Sequence, residues 1–174
     1  NRFERAADQA KNICQEVLYM CTGEYAKHTG SEVYRLLFVD EHNSCRSPMA
    51  EIIGASLRQP HFVFASAGLD PRERVDSATA FFMQQKGFDL GRVKPRAVSQ
   101  VPHLDHYQII VALAAEARRV FPPSPTKTVC LDWSVRDPST VHGTAEAINT
   151  AYEETFQFLH SNIQDLVEAI QGDA

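Results

Sequence analysis

Cysteines and long apolar runs are scarce in this sequence, and each shortage excludes a class of protein. The 174 residues include four cysteines, none in a Cys-x2-Cys pair, so neither a disulfide scaffold nor a zinc motif is indicated. No apolar run approaches the roughly 20 residues that a membrane-spanning helix needs, and no signal-peptide pattern is present. We therefore expect a cytoplasmic protein that holds no cofactor or metal and contacts no membrane.

A large excess of one charge is also missing. The net charge is −5 and the pI is about 5.8, which gives no general attraction to nucleic acid. Apolar residues make up 44% of the chain and charged residues 22%, close to the values of ordinary globular proteins. The length suits one domain with its own core. We expect a globular domain that does not bind nucleic acid.

The first thirty residues form a segment of their own. Apolar residues recur at helical spacing over residues 3–21, and a loop follows. We interpret residues 1–30 as an N-terminal helical extension and residues 31–174 as the main domain. Because the chain starts at Asn1 without a methionine, we expect an upstream module in a longer protein, although tag removal would look the same. The helix could pack on the domain, which we rank first, or contact a protein partner or a second copy.

Strand and helix patterns alternate over the rest of the chain. Short apolar runs are typical of buried parallel strands, and apolar residues three or four apart are typical of helices. Right-handed crossovers between such elements give an α/β fold, a small four-stranded parallel sheet with helices on both faces. The predicted strands span residues 34–39, 61–65, 107–113 and 128–131, and the predicted helices span residues 47–58, 75–86, 114–120 and 144–170.

The loop after the first predicted strand carries the strongest functional signal. An apolar run ends at Asp40, a polar stretch leads to Arg46, and Ser47 with Pro48 opens a helical pattern. In this order of strand, loop and helix, backbone N–H groups and the positive end of the helix converge on an anion. We predict that residues 41–46 surround an oxyanion.

This stretch resembles the signature of the low-molecular-weight protein tyrosine phosphatases and of the arsenate reductases that share their fold. That signature is a strand, then Cys-x5-Arg-Ser, then Pro-Met-Ala-Glu or a close variant. Asp40 stands where the family carries its nucleophilic cysteine. The resemblance extends from about residue 34 to about residue 170 and implies the family's fold. The matching residues are Asn43, Cys45, Arg46, Ser47, Pro48, Met49, Ala50 and Glu51.

The resemblance also implies roles for the loop residues. Arg46 would grip two oxygens of a phosphate-like oxyanion with its planar fork. Asn43 would hold the backbone turn, and Ser47 would donate a hydrogen bond to the anionic group at Asp40, the nucleophile position. The implied phosphate-binding residues are Glu41, His42, Asn43, Ser44, Cys45 and Arg46.

A second element of the resemblance is the dipeptide Asp137-Pro138, which follows the fourth predicted strand. In the phosphatases an aspartate at this point protonates the leaving oxygen. Many tyrosine phosphatases carry a tyrosine after this dipeptide, whereas this chain has Ser139 and Thr140. Specificity for aryl phosphates is therefore poorly supported. The implied catalytic residues are Asp40, Arg46, Ser47 and Asp137.

The arsenate reductase branch is limited by its thiol chemistry. Thioredoxin-coupled reductases relay a disulfide through two further cysteines after the third strand, and residues 113–123 contain none. That relay cannot operate here, and a glutathione-coupled variant would still need the thiol that Asp40 replaces. Cys45 resembles the backup thiol of some phosphatases, but we expect a small buried residue in a tight loop.

Asp40 leaves three hypotheses for function. The first, which we favour, is a catalytically silent regulatory or interaction module whose ligand is a phosphate-like oxyanion or a phosphorylated protein. The second is a tyrosine phosphatase or arsenate reductase, working through a cysteinyl-phosphate, whose cysteine was replaced. The third is an enzyme in which Asp40 itself forms an acyl phosphate. Because a carboxylate repels an incoming oxyanion, we expect the pocket to be plugged from within.

Other polar residues give weaker signals. His103 and His106 have the spacing of metal ligands without a third ligand nearby, so we expect solvent-facing loop histidines. His42 could contact an anion when protonated. Residues 66–68, Ser-Ala-Gly, resemble the family's turn after the second strand. The basic residues expected on solvated faces are Arg92, Lys94, Arg96, Arg118 and Arg119.

Overall fold

Four strands and three α-helices make up the regular structure of the part of the chain that the structure describes. The structure is a computed structural model, and it describes residues 33–123 and 127–172. The N-terminal extension predicted over residues 1–30 lies outside these residues. In chain order the elements are β1 (Tyr34–Asp40), α1 (Arg46–Ser56), β2 (Phe62–Gly68), α2 (Ser77–Gln85), β3 (Ile109–Ala112), β4 (Val129–Asp132) and α3 (Ala145–Gly172).

The four strands are all parallel and lie in the order β2-β1-β3-β4. The α/β fold predicted from the sequence, a small four-stranded parallel sheet covered by helices, is confirmed. β1 is an inner strand, which pairs with β2 along its whole length and with β3 on its other side. Because the strands are parallel, their carboxyl ends meet at one edge of the sheet, where the sites of such folds lie.

Alternate side chains of β1 point into two cores. Leu36 and Phe38 lie in a core that the three α-helices cover, while Leu37 and Val39 lie in a second core on the opposite face. Short 3-10 helices cover that second face. All four side chains are inaccessible to solvent. The nearly continuous apolar run of β1 is therefore what a strand covered on both faces requires.

The last helix closes the larger core. α3 extends over 28 residues, in agreement with the helix predicted for residues 144–170. Across the described residues, no helix combines the length and the apolar character needed to cross a bilayer. The buried stripe of α3 includes the apolar residues Tyr152, Phe156, Leu159, Ile163, Leu166, Val167 and Ile170.

One predicted local feature is wrong. Residues 66–68, predicted as a turn, continue β2, because they pair with the last residues of β1 as far as Gly68. The short helix predicted over residues 114–120 is confirmed, and it is the 3-10 helix Ala115–Val120. The N–H of Ala117 bonds to the carbonyl of Ala114, three residues back. This tighter pattern is usual in short connections.

Gly54 allows α1 to lie close to β2. A Cβ atom at this position would lie 2.5 Å from a ring carbon of Phe64, and that ring stacks against both Phe38 and Phe62. Helix propensity alone would favour alanine by about 1 kcal/mol. We expect the steric clash to prevail, so that Gly54→Ala lowers the free energy of unfolding by about 1–3 kcal/mol, measured by urea denaturation.

The matched control is Gly172→Ala, at a position of α3 where an added Cβ meets nothing within 4 Å. We expect no loss of stability in this variant. If Gly54→Ala were as stable as the unmodified protein, the ring of Phe64 would have to move aside at no cost, contrary to our packing argument.

Candidate oxyanion site

A tight loop joins β1 to α1 at the carboxyl edge of the sheet. Asn43 lies in this loop in the left-handed conformation, with φ of 49°, which asparagine tolerates better than most residues. Gly68, at the end of β2, lies directly against the turn, since a Cβ there would lie 2.7 Å from the backbone nitrogen of Asn43. α1 begins at Arg46 without a side-chain cap, so its first N–H groups are available at the loop.

The peptide groups of the loop share one orientation. In a trans peptide the C=O and N–H bonds point in opposite directions. The N–H groups that follow outward-pointing carbonyls therefore face the inside of the loop, as an oxyanion site requires. The outward carbonyls accept hydrogen bonds of 2.8–3.1 Å from the N–H groups of a neighbouring segment, from Leu69 to Asp40, from Asp70 to Glu41, from Arg72 to His42 and from Asp76 to Ser44.

Asp40 occupies this concave backbone with its own carboxyl group. Oδ1 accepts a hydrogen bond from the N–H of Asn43 at 2.7 Å, and Oδ2 accepts one from the N–H of Ser47 at 2.9 Å. The residue is 2% exposed. Burial raises the pKa of Asp40, while hydrogen bonds from Ser47 and Asn43 and the charge of Arg46 oppose that rise. The loop is thus folded around an acceptor that belongs to the chain itself.

The Asn43 side chain connects the loop to its surroundings. Its Nδ2 donates to the hydroxyls of Ser47 at 2.8 Å and Ser66 at 2.9 Å. Its Oδ1 accepts from the backbone N–H of Arg96 at 2.9 Å. The hydroxyl of Ser66 in turn donates to the carboxylate of Glu51. One buried amide therefore ties the loop to α1, to β2 and to the segment that carries Arg96.

Arg96 is not the solvated side chain that we expected from the sequence. Its Nε donates to the carbonyl oxygen of Ser66 at 3.2 Å. Burial raises the pKa of Glu51, and Ser66 and then Arg96 oppose that rise. The position follows from an isolated parallel bridge between Ala97 and Gly68, which brings this segment beside the end of β2. No local sequence pattern signals such a bridge.

Arg46 is buried at the start of α1 and is turned toward the neighbouring strand ends. Its Nη1 donates to the carbonyl oxygens of Leu113 at 3.1 Å and Val135 at 2.8 Å, and its Nη2 lies 3.6 Å from Oδ2 of Asp137. Its buried Nε has no partner within the described residues. The predicted grip on two oxyanion oxygens would therefore require Arg46 to exchange the bonds that it makes here.

Asp137 lies at the same edge of the sheet as the loop. It caps the 3-10 helix Pro138–Thr140, and its Oδ1 accepts hydrogen bonds from the N–H of Ser139 at 2.9 Å and from the hydroxyl of Ser139 at 2.6 Å. Its other oxygen faces Arg46. All of these partners are donors, so Asp137 acts as an acceptor in this arrangement.

Cys45 is a buried thiol without the properties of a nucleophile. It is 1% exposed, which confirms the small buried residue expected from the sequence. Burial and then the negative charge of Asp137 raise the pKa of Cys45 far above its ordinary range, and a hydrogen bond with Thr79 only partly opposes this rise. Since the thiolate is the reactive form of cysteine, Cys45 does not substitute for the thiol missing at position 40.

The rings of His42, His103 and His106 each lie close to a neighbouring residue. Nδ1 of His42 is 2.9 Å from the carbonyl oxygen of Asp70, and its Nε2 is 3.8 Å from a carboxylate oxygen of Glu41. The ring of His42 thus faces Asp70, and its contact with an anion when it is protonated stays a prediction. His103 and His106 stack with ring centroids 5.1 Å apart. Among the described residues, no three His, Cys, Asp or Glu side chains are grouped to hold a metal ion.

The parallel sheet, the loop of inward-facing N–H groups and the helix that follows define an α/β domain with an oxyanion loop. The family can be stated more narrowly, because residues 35–174 match the model of the low molecular weight phosphotyrosine protein phosphatases. The chain belongs to this family, as the resemblance implied.

Known proteins similar to this chain have two kinds of activity in their names. A glutaredoxin arsenate reductase from Synechocystis is 27% identical over 104 residues, 60% of this chain and 78% of that protein. The YwlE arginine phosphatase from Geobacillus stearothermophilus is 25% identical, with a TM-score of 0.64 over 80% of this chain and 94% of its own. An arsenate reductase in its phosphate-binding state has a TM-score of 0.59 and 22% identity, and the match covers 77% of this chain and 99% of that one.

The raised pKa of Asp40 predicts a pH-dependent stability. Below the ordinary value of 3.8 the carboxyl group is protonated in both the folded and the unfolded chain. As the pH rises from there through the raised pKa, the unfolded chain loses its proton first, so this group's contribution to stability falls. We expect Asp40→Asn to become more stable relative to the unmodified protein between pH 4 and pH 8, measured by urea denaturation.

The difference in unfolding free energy at pH 4 is the internal reference for this comparison, since it contains the effects of Asp40→Asn that do not depend on ionisation. A difference that stays constant from pH 4 to pH 8 would contradict the assignment of a raised pKa to Asp40.

Proposed function

We propose that this chain is a catalytically silent member of its family and serves as a regulatory or interaction module. One observation carries the proposal. Both carboxyl oxygens of Asp40 accept hydrogen bonds from backbone N–H groups at the loop, where the family places its reacting thiol. The groups that would bind a substrate oxyanion are thereby partly engaged by the protein. The loop then acts as a rigid structural element that binds external oxyanions weakly.

Charge repulsion supports this proposal. Two unit charges about 4 Å apart repel by roughly 4 kcal/mol at an effective dielectric constant of 20, which corresponds to about a thousandfold in affinity. Asp40 inside the loop exerts such a force on a phosphate at pH values above its raised pKa, where the carboxyl group is ionised. The favourable charge of Arg46 is meanwhile directed at Asp137 and at two backbone carbonyls.

The chemistry of position 40 supports it as well. The family's reaction needs a soft thiolate, which forms a bond to phosphorus while the leaving oxygen takes a proton. A carboxylate that already accepts two N–H groups is a weaker nucleophile, and this also argues against an acyl phosphate at Asp40. Cys45 is buried beside Asp137, with a pKa far above its ordinary range, and is not a replacement.

A module of this kind acts through its binding partners. Candidate ligands are a phosphate-like oxyanion or a phosphorylated protein, and the segment 1–30 is a candidate contact for a protein partner or a second copy. The similarity to a phosphate-binding arsenate reductase and to an arginine phosphatase supports the first kind of ligand.

A second candidate function is an active phosphatase or arsenate reductase whose cysteine was replaced by Asp40. The observation in its favour is that the remaining family residues lie at one edge of the sheet. Asn43 and Ser47 are hydrogen-bonded to each other, and Arg46 faces Asp137. In such an enzyme a thiolate at position 40 would attack phosphorus, Asp137 would protonate the leaving oxygen, and water would cleave the cysteinyl-phosphate.

Restoring the cysteine separates the two candidates. We expect the chain as given to hydrolyse p-nitrophenyl phosphate no faster than buffer. The silent module predicts that Asp40→Cys stays inactive, because Arg46 and Asp137 are engaged with each other and with backbone carbonyls. The replaced-cysteine enzyme predicts that Asp40→Cys gains turnover, because its thiolate would meet the same loop N–H groups and Arg46. Release of p-nitrophenolate is the measurement.

The control for this assay is Arg46→Ala in the Asp40→Cys background, which should lose any turnover that the cysteine restores. Turnover by the unmodified chain that Arg46→Ala abolishes would refute the silent module. Silence in the folded Asp40→Cys variant would refute the replaced-cysteine enzyme and leave the module.

The internal plug can be tested by binding alone. We expect Asp40→Ser to increase the affinity for sulfate at pH 8 by up to about a thousandfold, because it removes the repelling charge. Isothermal titration calorimetry measures the change. Sulfate is the probe because it is fully ionised at pH 8.

Asp165→Asn is the matched control for this titration, since it removes one negative charge at an exposed position of α3. It should leave the sulfate affinity nearly unchanged. A gain in Asp40→Ser no larger than the gain in Asp165→Asn would show that Asp40 does not obstruct the loop.

A further inference from the structure

A cavity of about 490 Å³ lies beside the oxyanion loop, on the side where Arg96 meets the end of β2. Its wall includes the basic residues Arg92, Lys94 and Arg96, and also Glu51 and Ser66. The volume is within the range of roughly 300–1,000 Å³ typical of small-molecule sites. The cavity is thus large enough for a small organic ligand and is lined on one side by three cations.

The charges of this cavity are unevenly compensated. The carboxylate of Glu51 accepts a hydrogen bond from Ser66 and interacts with Arg96. In the part of the chain that the structure describes, Arg92 and Lys94 have no carboxylate within ion-pair distance. Two positive charges therefore remain at the cavity for a ligand to neutralise.

The chemistry of these residues indicates a ligand that bears phosphate. The planar fork of arginine matches two phosphate oxygens, and lysine adds a mobile point charge. Val93 and Pro95 contribute apolar surface between the cations, which suits the organic part of such a ligand. We propose that this cavity binds a phosphorylated small molecule through Arg92 and Lys94, at a site separate from the oxyanion loop. The proposal goes beyond the function proposed above and holds whether or not the loop is catalytically silent.

The cavity is connected to the oxyanion loop by direct hydrogen bonds. Ser66 and Arg96 line the cavity, and both bond to the Asn43 side chain, which holds the left-handed turn of the loop. A ligand that restrains Arg96 therefore also restrains the loop turn. This link gives a silent domain a means to transmit occupancy of the cavity to the carboxyl edge of the sheet.

The test uses pyrophosphate as the probe and calorimetry as the measurement. We expect the double variant Arg92→Ala with Lys94→Ala to bind pyrophosphate at least tenfold more weakly than the unmodified protein. The matched control is Arg118→Ala with Arg119→Ala, which removes the same charge from exposed positions that do not line the cavity. This control and Arg46→Ala, which reports on the oxyanion loop, should each change the affinity less than threefold.

Amide NMR shifts during the titration locate the probe independently. We expect shifts at the backbone amides of residues 92–94 and 96 and at the side-chain amide of Asn43. Three results would overturn the proposal: no binding at millimolar pyrophosphate, equal weakening in the two double variants, or loss of binding in Arg46→Ala alone. The last result would assign the anion to the oxyanion loop, so failure of this proposal is distinguishable from failure of the proposed function.

Discussion

The orientation of the loop peptides is the constraint on which the rest of the site depends. Segment 69–76 donates hydrogen bonds to the carbonyls of four residues from Asp40 to Ser44, so the loop N–H groups face inward. A concave surface of N–H donors is unstable when it is buried without an acceptor. In this chain the carboxyl group of Asp40 supplies part of that acceptor, where an enzyme of the family would hold a thiolate and a substrate oxyanion.

The charged residues around the loop are also bonded to partners within the protein. Arg46 is buried between two backbone carbonyls and Asp137, and Asp137 is held by Ser139. Buried charges are tolerated when partners surround them, and here each partner comes from the protein. The charged groups of the site are therefore largely paired within the protein, while Nε of Arg46 has no partner among the described residues.

The side chain of Asn43 joins the loop to three neighbouring segments. Its amide contacts α1 through Ser47, β2 through Ser66 and the basic segment through the N–H of Arg96. Both polar atoms of this side-chain amide form hydrogen bonds. A buried polar group with all its hydrogen bonds formed holds its neighbours in one arrangement. The basic cavity and the oxyanion loop share this residue, so the two regions form one hydrogen-bonded unit at the carboxyl edge of the sheet.

The sequence alone determined the fold class and the position of the loop, because apolar periodicity and the motif from Asp40 to Glu51 are local patterns that follow directly from the order of the residues. It also gave Cys45 as a buried residue. Only the tertiary structure decided where Arg46 points, that residues 66–68 extend β2, and that Arg96 supports the loop. These outcomes depend on pairings between residues far apart in the sequence, such as the 89 positions between Arg46 and Val135, which no local pattern encodes.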